Sequence, residues 1–148
     1  MCLASVSDIE VKKKIKSTIP KEGMKVYKIV GVRDGKYYQL FRDKRAWYEE
    51  GTNTAHIEKI HASSYYKYDT GFHFFTSKEV ADNYAAHISH LHKRGELNPS
   101  LFQGKYAVIE CIVKKSWVTE MGMQWIKGIS RRVLVAKKAI FPKFEEKE

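Results

Sequence analysis

The segment 42–48 has the residue types that bind phosphate and stack on bases. In it, three cations are interleaved with Trp47 and Tyr48. Arginine and lysine hold phosphate groups, and an aromatic face can stack on a nucleobase. We therefore expect Arg45 and Trp47 to contact a nucleotide or nucleic acid. A polar connection anchored by one tryptophan would have the same composition.

A second candidate is His73, which stands between Phe72 and the pair Phe74-Phe75. Alternation along a strand places it on the face opposite Phe72 and Phe74. A neutral imidazole there could donate a hydrogen bond to a ligand, or it could be a structural histidine bonded within the core. We take His73 as a candidate ligand-binding residue.

The basic pair Arg131 and Arg132 opens the last predicted strand and is a third candidate. The 148-residue chain has a formal net charge of +10. Residues 1–50 carry twelve basic against seven acidic residues and residues 101–148 carry ten against five, whereas residues 51–100 are balanced. A positive field of this size favours anionic partners such as nucleotides, nucleic acid or an acidic protein surface. Basic runs such as Lys12–Lys14 are also compatible with a solvated face.

Catalytic and cofactor motifs are absent from the sequence, which has no GxGxxG, Walker A, HExxH or GxSxG pattern. Its two cysteines, Cys2 and Cys111, form neither a disulfide framework nor a zinc pattern and suit a reducing compartment. Cys2 would become an N-terminal nucleophile if Met1 were removed, but the rest of an amidotransferase signature does not follow it. Glu110 is expected to face solvent, to pair with a cation, or to act as an acid or base, in that order. We predict no catalytic residue, no cofactor and no metal.

The elements that position these residues begin with a short helix or a mobile arm, either of which ends before Pro20. A strand follows at Met24–Val30, and the dipeptide Asp34-Gly35 predicts a hairpin to a return strand at 36–41. Residues 49–67 are a long polar connection, unless Ile57 and Ile60 belong to a short edge strand.

The clearest structural signal is a strand at 71–75 that turns directly into a helix. The residues 76–79 match a capping box, so the helix begins at Ser77 and ends near Lys93. A continuous apolar strand follows at 106–113. We then expect a short strand at 117–119, a turn at 120–123, a return at 124–127, and a last strand at 131–140 that Pro142 ends.

Together these elements predict an α+β fold: a mainly antiparallel, twisted sheet of five to seven strands, packed against one main helix at about 77–93, with a minor N-terminal helix. We expect an N-terminal arm at 1–22, one α+β domain at 23–142 and a charged tail at 143–148. No signal peptide and no apolar run of membrane-spanning length occur in the sequence, which predicts a cytoplasmic protein.

Several short motifs resemble a set of small uncharacterised proteins from bacteriophages and gut bacteria. That resemblance covers most of the chain and implies a phage context, in which small proteins often inhibit host defence. The motifs are Met1-Cys2-Leu3, Val26-Tyr27-Lys28, Gly71-Phe72-His73 with its capped helix, Val108-Ile109-Glu110-Cys111 and the basic last strand.

A looser similarity is to the ADP-ribosyltransferase pattern. It is carried by 26–28, by the strand–helix segment 71–77, and by Ala81 and Tyr84. The chain lacks the His or Arg-Gly of that pattern at 27–28, has His73 where tyrosine is common, and has no acidic pair near Arg131. The resemblance thus implies a scaffold that binds a nucleotide without turning it over.

The sequence therefore predicts a non-enzymatic, phage-type binding protein that inhibits host defence by sequestering a phosphate-rich ligand, either an immune nucleotide signal or nucleic acid. The residues predicted to bind that ligand are Arg45, Trp47, His73, Arg131 and Arg132. One alternative is an inhibitor that binds an acidic host protein directly, and another is an ADP-ribosyltransferase-like enzyme. Exposed aromatic residues, with Trp47, Tyr65 and Tyr66 as candidates, also favour a homo-oligomer.

Overall fold

The computed structural model describes residues 5–6, 9–40, 47–55, 59–62, 66–69, 71–126 and 129–145. Within these ranges the helices are α1 (Ile9–Ser17), α2 (Lys78–Lys93) and a short 3₁₀-helix at Lys115–Trp117. The predicted α+β class is confirmed, with a main helix, a minor N-terminal helix and a large antiparallel sheet. The strands are β1 (Ser5–Val6), β2 (Met24–Arg33), β3 (Lys36–Tyr38), β4 (Trp47–Tyr48), β5 (Gly51–Thr54), β6 (Lys59–Ala62), β7 (Tyr66–Asp69), β8 (Phe72–Phe75), β9 (Lys105–Val113), β10 (Val118–Ile126), β11 (Ile129–Ala136) and β12 (Lys138–Phe141).

The main sheet has the neighbour order β1-β10-β11-β8-β2-β9-β12-β5, and β3 joins it at β2 and carries β4. Strands β6 and β7 form a separate hairpin. The sheet therefore has more strands than the five to seven expected. The expected polar connection at 49–67 is wrong, because β5 pairs with β12 there. The alternative of a short edge strand is confirmed for Ile60, which lies in β6. Ile57 lies outside the described residues.

The predicted hairpin after β2 is confirmed. Asp34 and Gly35 both have positive φ, 50° and 72°, and Arg33 pairs with Lys36. These angles match the two-residue hairpin turns that favour Asp-Gly. This hairpin turn sets the position of β3. Strand β3 pairs with β4, which places Trp47 opposite Tyr38.

The C-terminal third differs from the prediction at two points. The expected turn at 120–123 is wrong, because Gly122 lies inside β10, opposite Val133. The single last strand at 131–140 is also wrong, because the chain is broken at Lys137 into β11 and β12. Strand β11 pairs with β8 and β10, whereas β12 pairs with β9 and β5.

The junction at Lys137 requires the sheet to curl. Only this residue separates β11 from β12, yet β8, β2 and β9 lie between them in the sheet. In a flat sheet β8 and β12 would be about 14 Å apart, since neighbouring strands are spaced by about 4.8 Å. The ring centroids of Phe72 and Phe141, one from each strand, are 5.4 Å apart. These side chains therefore meet inside the curl.

The curled sheet buries a core on each face. The inner core fills the concave side, where Val26, Phe74 and Cys111 are fully buried. Ile15 of α1 and Ile19, which follows that helix, also pack there. The outer core lies between the opposite face and α2, and its members include Ile29, Phe75, Ala81, Ile88, Phe102, Val133 and Val135. Apolar side chains therefore point both ways from the central strands, as in a sheet that is covered on both faces.

The strand–helix unit at 71–93 follows the prediction closely. Gly71 precedes β8, and a Cβ there would lie 2.4 Å from the Ala136 carbonyl oxygen. The Ser77 hydroxyl accepts a hydrogen bond from the Val80 backbone N–H. The N-cap is therefore Ser77. The capping-box pattern at 76–79 would instead make Thr76 the N-cap. At the other end Gly95 has a φ of 70°, as expected just beyond a helix.

The expected charged tail at 143–148 includes a packed residue. The rings of Phe144 and Tyr37 are 4.9 Å apart, and the Glu145 N–H donates to the Tyr37 hydroxyl. Phe144 thereby adds to the inner core. Among the described helices, neither the length nor the hydropathy needed for a membrane span is reached.

Candidate functional site

One end of the sheet carries an aromatic–cation surface, formed by Arg33, Lys36, Tyr38, Trp47 and Phe102. Trp47 is 47% exposed, and the Lys36 Nζ lies 4.0 Å from its ring centroid. The Tyr38 ring stands edge-on to Trp47 and stacks on Phe102, with centroid distances of 6.1 and 5.5 Å. The Arg33 guanidinium lies 4.6 Å from the Phe102 centroid. The tryptophan is thus held at the surface by a supporting row of rings and cations.

Two exposed cations belong to this surface. Arg33 and Lys36 are exposed at the hairpin end, whereas exposed Lys105 lies opposite Val32 and therefore on the inner face of the sheet. Arg33 is also fixed by a hydrogen bond to the Gln103 carbonyl at 3.0 Å. The Asp34 carboxylate lies in the turn, and the exposed acids Glu49 and Glu50 directly follow β4. An aromatic plane beside two cations is an arrangement that can stack a base and neutralise phosphate.

The other predicted arginines lie elsewhere. Arg131 and Arg132 are exposed on β11, just before Val133, which pairs with Phe75. Phe75 pairs with Tyr27, near the start of β2. Trp47 pairs with Tyr38, which pairs with Gly31 near the end of β2. The separation is about 20 Å along the strand, given about 3.3 Å per residue. Arg45 lies outside the described residues. Trp47 therefore does not share a site with Arg131 and Arg132.

His73 is part-buried on the outer face of β8, as alternation predicted. Its Nδ1 lies 3.2 Å from the Gly71 carbonyl oxygen, which can only accept, so this contact requires the proton on Nδ1. Its own carbonyl oxygen accepts a hydrogen bond from Lys28 Nζ at 3.0 Å. These contacts support the structural interpretation of His73. Its role toward a ligand stays a prediction.

Lys28 is a residue that the sequence reasoning missed. It projects from β2 into the inner core, where its Nζ lies 5.4 Å from the Phe74 centroid and 6.0 Å from the Tyr48 centroid. Among the described residues, its hydrogen-bond acceptor is the His73 carbonyl and no carboxylate pairs with it. A cation without a carboxylate partner in a largely apolar interior is costly, because desolvation disfavours its charged form.

The titration behaviour of this interior reflects the same desolvation. Burial lowers the pKa of Lys28 from 10.5 to about 8. Burial raises the pKa of the Cys111 thiol to about 12 and raises that of the Tyr48 hydroxyl well above its ordinary value. At neutral pH the thiol and the phenol are therefore protonated, and Lys28 is the group whose charge changes near physiological pH.

Strand alternation is the signal that could have found Lys28. In β2 the even-numbered residues Met24, Val26, Val30 and Val32 belong to the inner core, and Lys28 has the same parity. A lysine on the apolar side of an alternating strand indicates a buried amine.

A basic groove of about 200 Å³ lies between α1 and β10 and is lined by Lys12, Lys13, Lys16, Thr119, Glu120 and Met121. Lys12 Nζ and the Glu120 carboxylate are 2.8 Å apart, so this lysine fastens the helix to the strand. Within the run Lys12–Lys14, Lys12 therefore has a structural role.

Glu110 is exposed, which agrees with the first of its three expected roles. Over the described residues, no three His, Cys, Asp or Glu side chains are grouped as a metal site requires. Comparison with protein-family models, with curated proteins and with solved structures found no match to this chain.

Proposed function

We propose that the protein is a non-enzymatic binding protein for a phosphate-rich ligand, either single-stranded nucleic acid or a nucleotide. The observation that carries this proposal is Trp47, a large aromatic side chain left 47% exposed with a lysine ammonium 4.0 Å from its ring. Within the described part of the chain, Val11 is the other large apolar side chain that is similarly exposed. An exposed, braced tryptophan is a typical stacking surface for a base.

In this proposal the ring contacts the base and the cations contact the phosphates. Arg33 and Lys36 lie opposite each other on adjacent strands, at the same sheet end as Trp47. Each phosphate neutralised by a lysine or arginine releases counterions, so binding weakens steeply as salt is raised. The charge of +10 adds a longer-range attraction for such ligands.

The biological role that we attach to this binding is inhibition of host defence by a phage-type protein, through sequestration of an immune nucleotide signal or nucleic acid. It follows from the sequence resemblance together with the basic, aromatic surface. An inhibitor that docks on an acidic host protein would use the same charges, and the experiments below separate the two.

The direct test is fluorescence anisotropy with a short labelled oligothymidylate. Trp47→Ala is expected to raise the dissociation constant about tenfold or more, since stacking on one base is worth roughly 1–3 kcal/mol. Lys36→Ala is expected to weaken binding and to reduce the slope of log K against log salt by about 0.7. Lys25→Ala is the matched control, because Lys25 is an exposed lysine at the opposite end of β2.

Equal losses in Lys36→Ala and Lys25→Ala would mean that only overall charge matters, and the proposed surface would be wrong. Native mass spectrometry of protein purified from cells, with and without added nucleotides, distinguishes the ligands. A mass increase with nucleotides favours a nucleotide, and one with oligonucleotides favours nucleic acid. Salt-sensitive capture of an acidic protein with neither ligand bound would favour the protein-binding alternative.

A further inference from the structure

Lys28 is unlike the other described lysines because its amine is enclosed by aromatic and apolar side chains. Its Nζ lies between the Phe74 and Tyr48 rings on the concave side of the sheet, and one hydrogen bond to the His73 carbonyl fixes its position. The residue nevertheless keeps part of its surface accessible. The aromatic–cation surface does not use it, since Lys28 is on the inner face of the sheet and Trp47 is outside.

An amine in such surroundings is a nucleophile when it is neutral. With a pKa of about 8, roughly 10% of Lys28 is neutral at pH 7, about 300-fold more than for a lysine at 10.5. Desolvation in an apolar pocket is a recognised way to activate lysine toward carbonyl compounds. The neighbouring Cys111 thiol stays protonated and does not compete as a nucleophile, because burial raises its pKa to about 12.

We infer that the Lys28 amine, held among Phe74, Tyr48 and the His73 carbonyl inside the curled sheet, is a site for reversible imine formation with a small aromatic or apolar aldehyde. The amine nitrogen adds to the carbonyl carbon, and a proton moves from nitrogen to oxygen to give a carbinolamine. Loss of water then forms the C=N bond. No oxidant or reductant is needed. The rings around Nζ would contact the aldehyde substituent, which sets the ligand class.

The test is reductive trapping on the intact folded protein. Benzaldehyde and cyanoborohydride are added at pH 7, and peptide mapping by mass spectrometry measures the rate of labelling at each lysine. Lys28 is expected to be labelled at least tenfold faster than Lys25, the exposed lysine three residues earlier on the same strand. Its labelling rate should rise with a midpoint near pH 8, whereas that of Lys25 should continue to rise toward pH 10.

Lys28→Arg keeps the charge and removes the nucleophile, so it should abolish the fast labelling and leave the rate at Lys25 unchanged. Labelling of Lys28 no faster than of Lys25, or labelling of Lys28 only in urea-unfolded protein, would overturn the inference. Glyoxylate, a small anionic aldehyde, is the comparison probe. Preference for glyoxylate over benzaldehyde would overturn the assignment of an apolar ligand. Neither result affects the nucleic-acid proposal, which concerns the outer face.

Discussion

Replacing Lys28 by methionine should stabilise the protein at neutral pH. A fall in pKa from 10.5 to about 8 means that the fold disfavours the charged amine by about 3 kcal/mol. Methionine is unbranched and flexible and can occupy similar space without charge. The change also removes the hydrogen bond to the His73 carbonyl, which costs about 1–2 kcal/mol. The net expectation for Lys28→Met is a gain of about 1–2 kcal/mol in the free energy of unfolding at pH 7.

The same reasoning fixes a pH dependence. The pKa of Lys28 is lower in the folded state, so between pH 8 and 10.5 the unfolded chain binds more protons. The contribution of Lys28 to stability therefore rises with pH across this window and is constant below it. From pH 7 to pH 10 the wild-type protein should gain about 2 kcal/mol relative to the variant. The advantage of Lys28→Met should accordingly disappear or reverse by pH 10.

Equilibrium urea unfolding at pH 7 and pH 10, followed by circular dichroism, measures both quantities. Comparison with the variant cancels the other groups that titrate near pH 10. The control is Lys25→Met, at an exposed position of β2, for which no change larger than about 0.5 kcal/mol is expected. A Lys28→Met protein less stable than wild type at pH 7, or a difference independent of pH, would refute the argument from desolvation.

Two further substitutions test the strand–helix unit by thermal or urea unfolding. Ser77→Ala should cost about 1 kcal/mol by removing the acceptor for the Val80 N–H, whereas Thr76→Ala should cost less if Ser77 is the N-cap. A larger effect at Thr76 would contradict that position of the cap. Gly71→Ala should cost at least about 2 kcal/mol, because its Cβ would lie 2.4 Å from the Ala136 carbonyl oxygen and the backbone must shift. A neutral result would mean that β8 and β11 pack less closely there.

The strand–helix unit and the central strands could be predicted because their local signals agree. In α2, Val80, Tyr84, Ile88 and Leu91 keep the helical spacing and all belong to the outer core. The Asp34-Gly35 turn likewise has the positive φ angles that its residue types favour. Where the spacing of apolar residues, the helix cap and the turn residues all indicate one structure, the sequence is sufficient to predict that structure.

The C-terminal strands could not be predicted in the same way. Gly122 and its neighbours resemble a turn, yet pairing with Val133 on one side and Val6 on the other keeps them extended. The break at Lys137 exists because the sheet curls, and curling depends on pairings between distant strands. Local composition carries no signal for such a junction.

The candidate site could be predicted from the sequence only in part. Trp47 could be proposed from its composition, but its cationic neighbours Arg33 and Lys36 come from the preceding hairpin and not from the segment 42–48. Arg131 and Arg132 share charge with the surface but lie at the opposite end of the sheet. The alternation of β2 places Lys28 on the apolar face of that strand. The desolvation of its amine could not be predicted, because it depends on the enclosure of the inner face by distant strands.

The order of the described strands along the chain has a consequence for biosynthesis. The other described strands are synthesised before Lys137 and the four residues of β12, which join β5 to β9 and bring Phe141 against Phe72. A nascent chain that ends earlier can pair β2, β8 and β9, but the concave side stays open to water. The aromatic lining of that side is then available to chaperones or to aggregation. Pairing of β12 is therefore the step that completes the concave side, and Lys28 enters its desolvated surroundings only then.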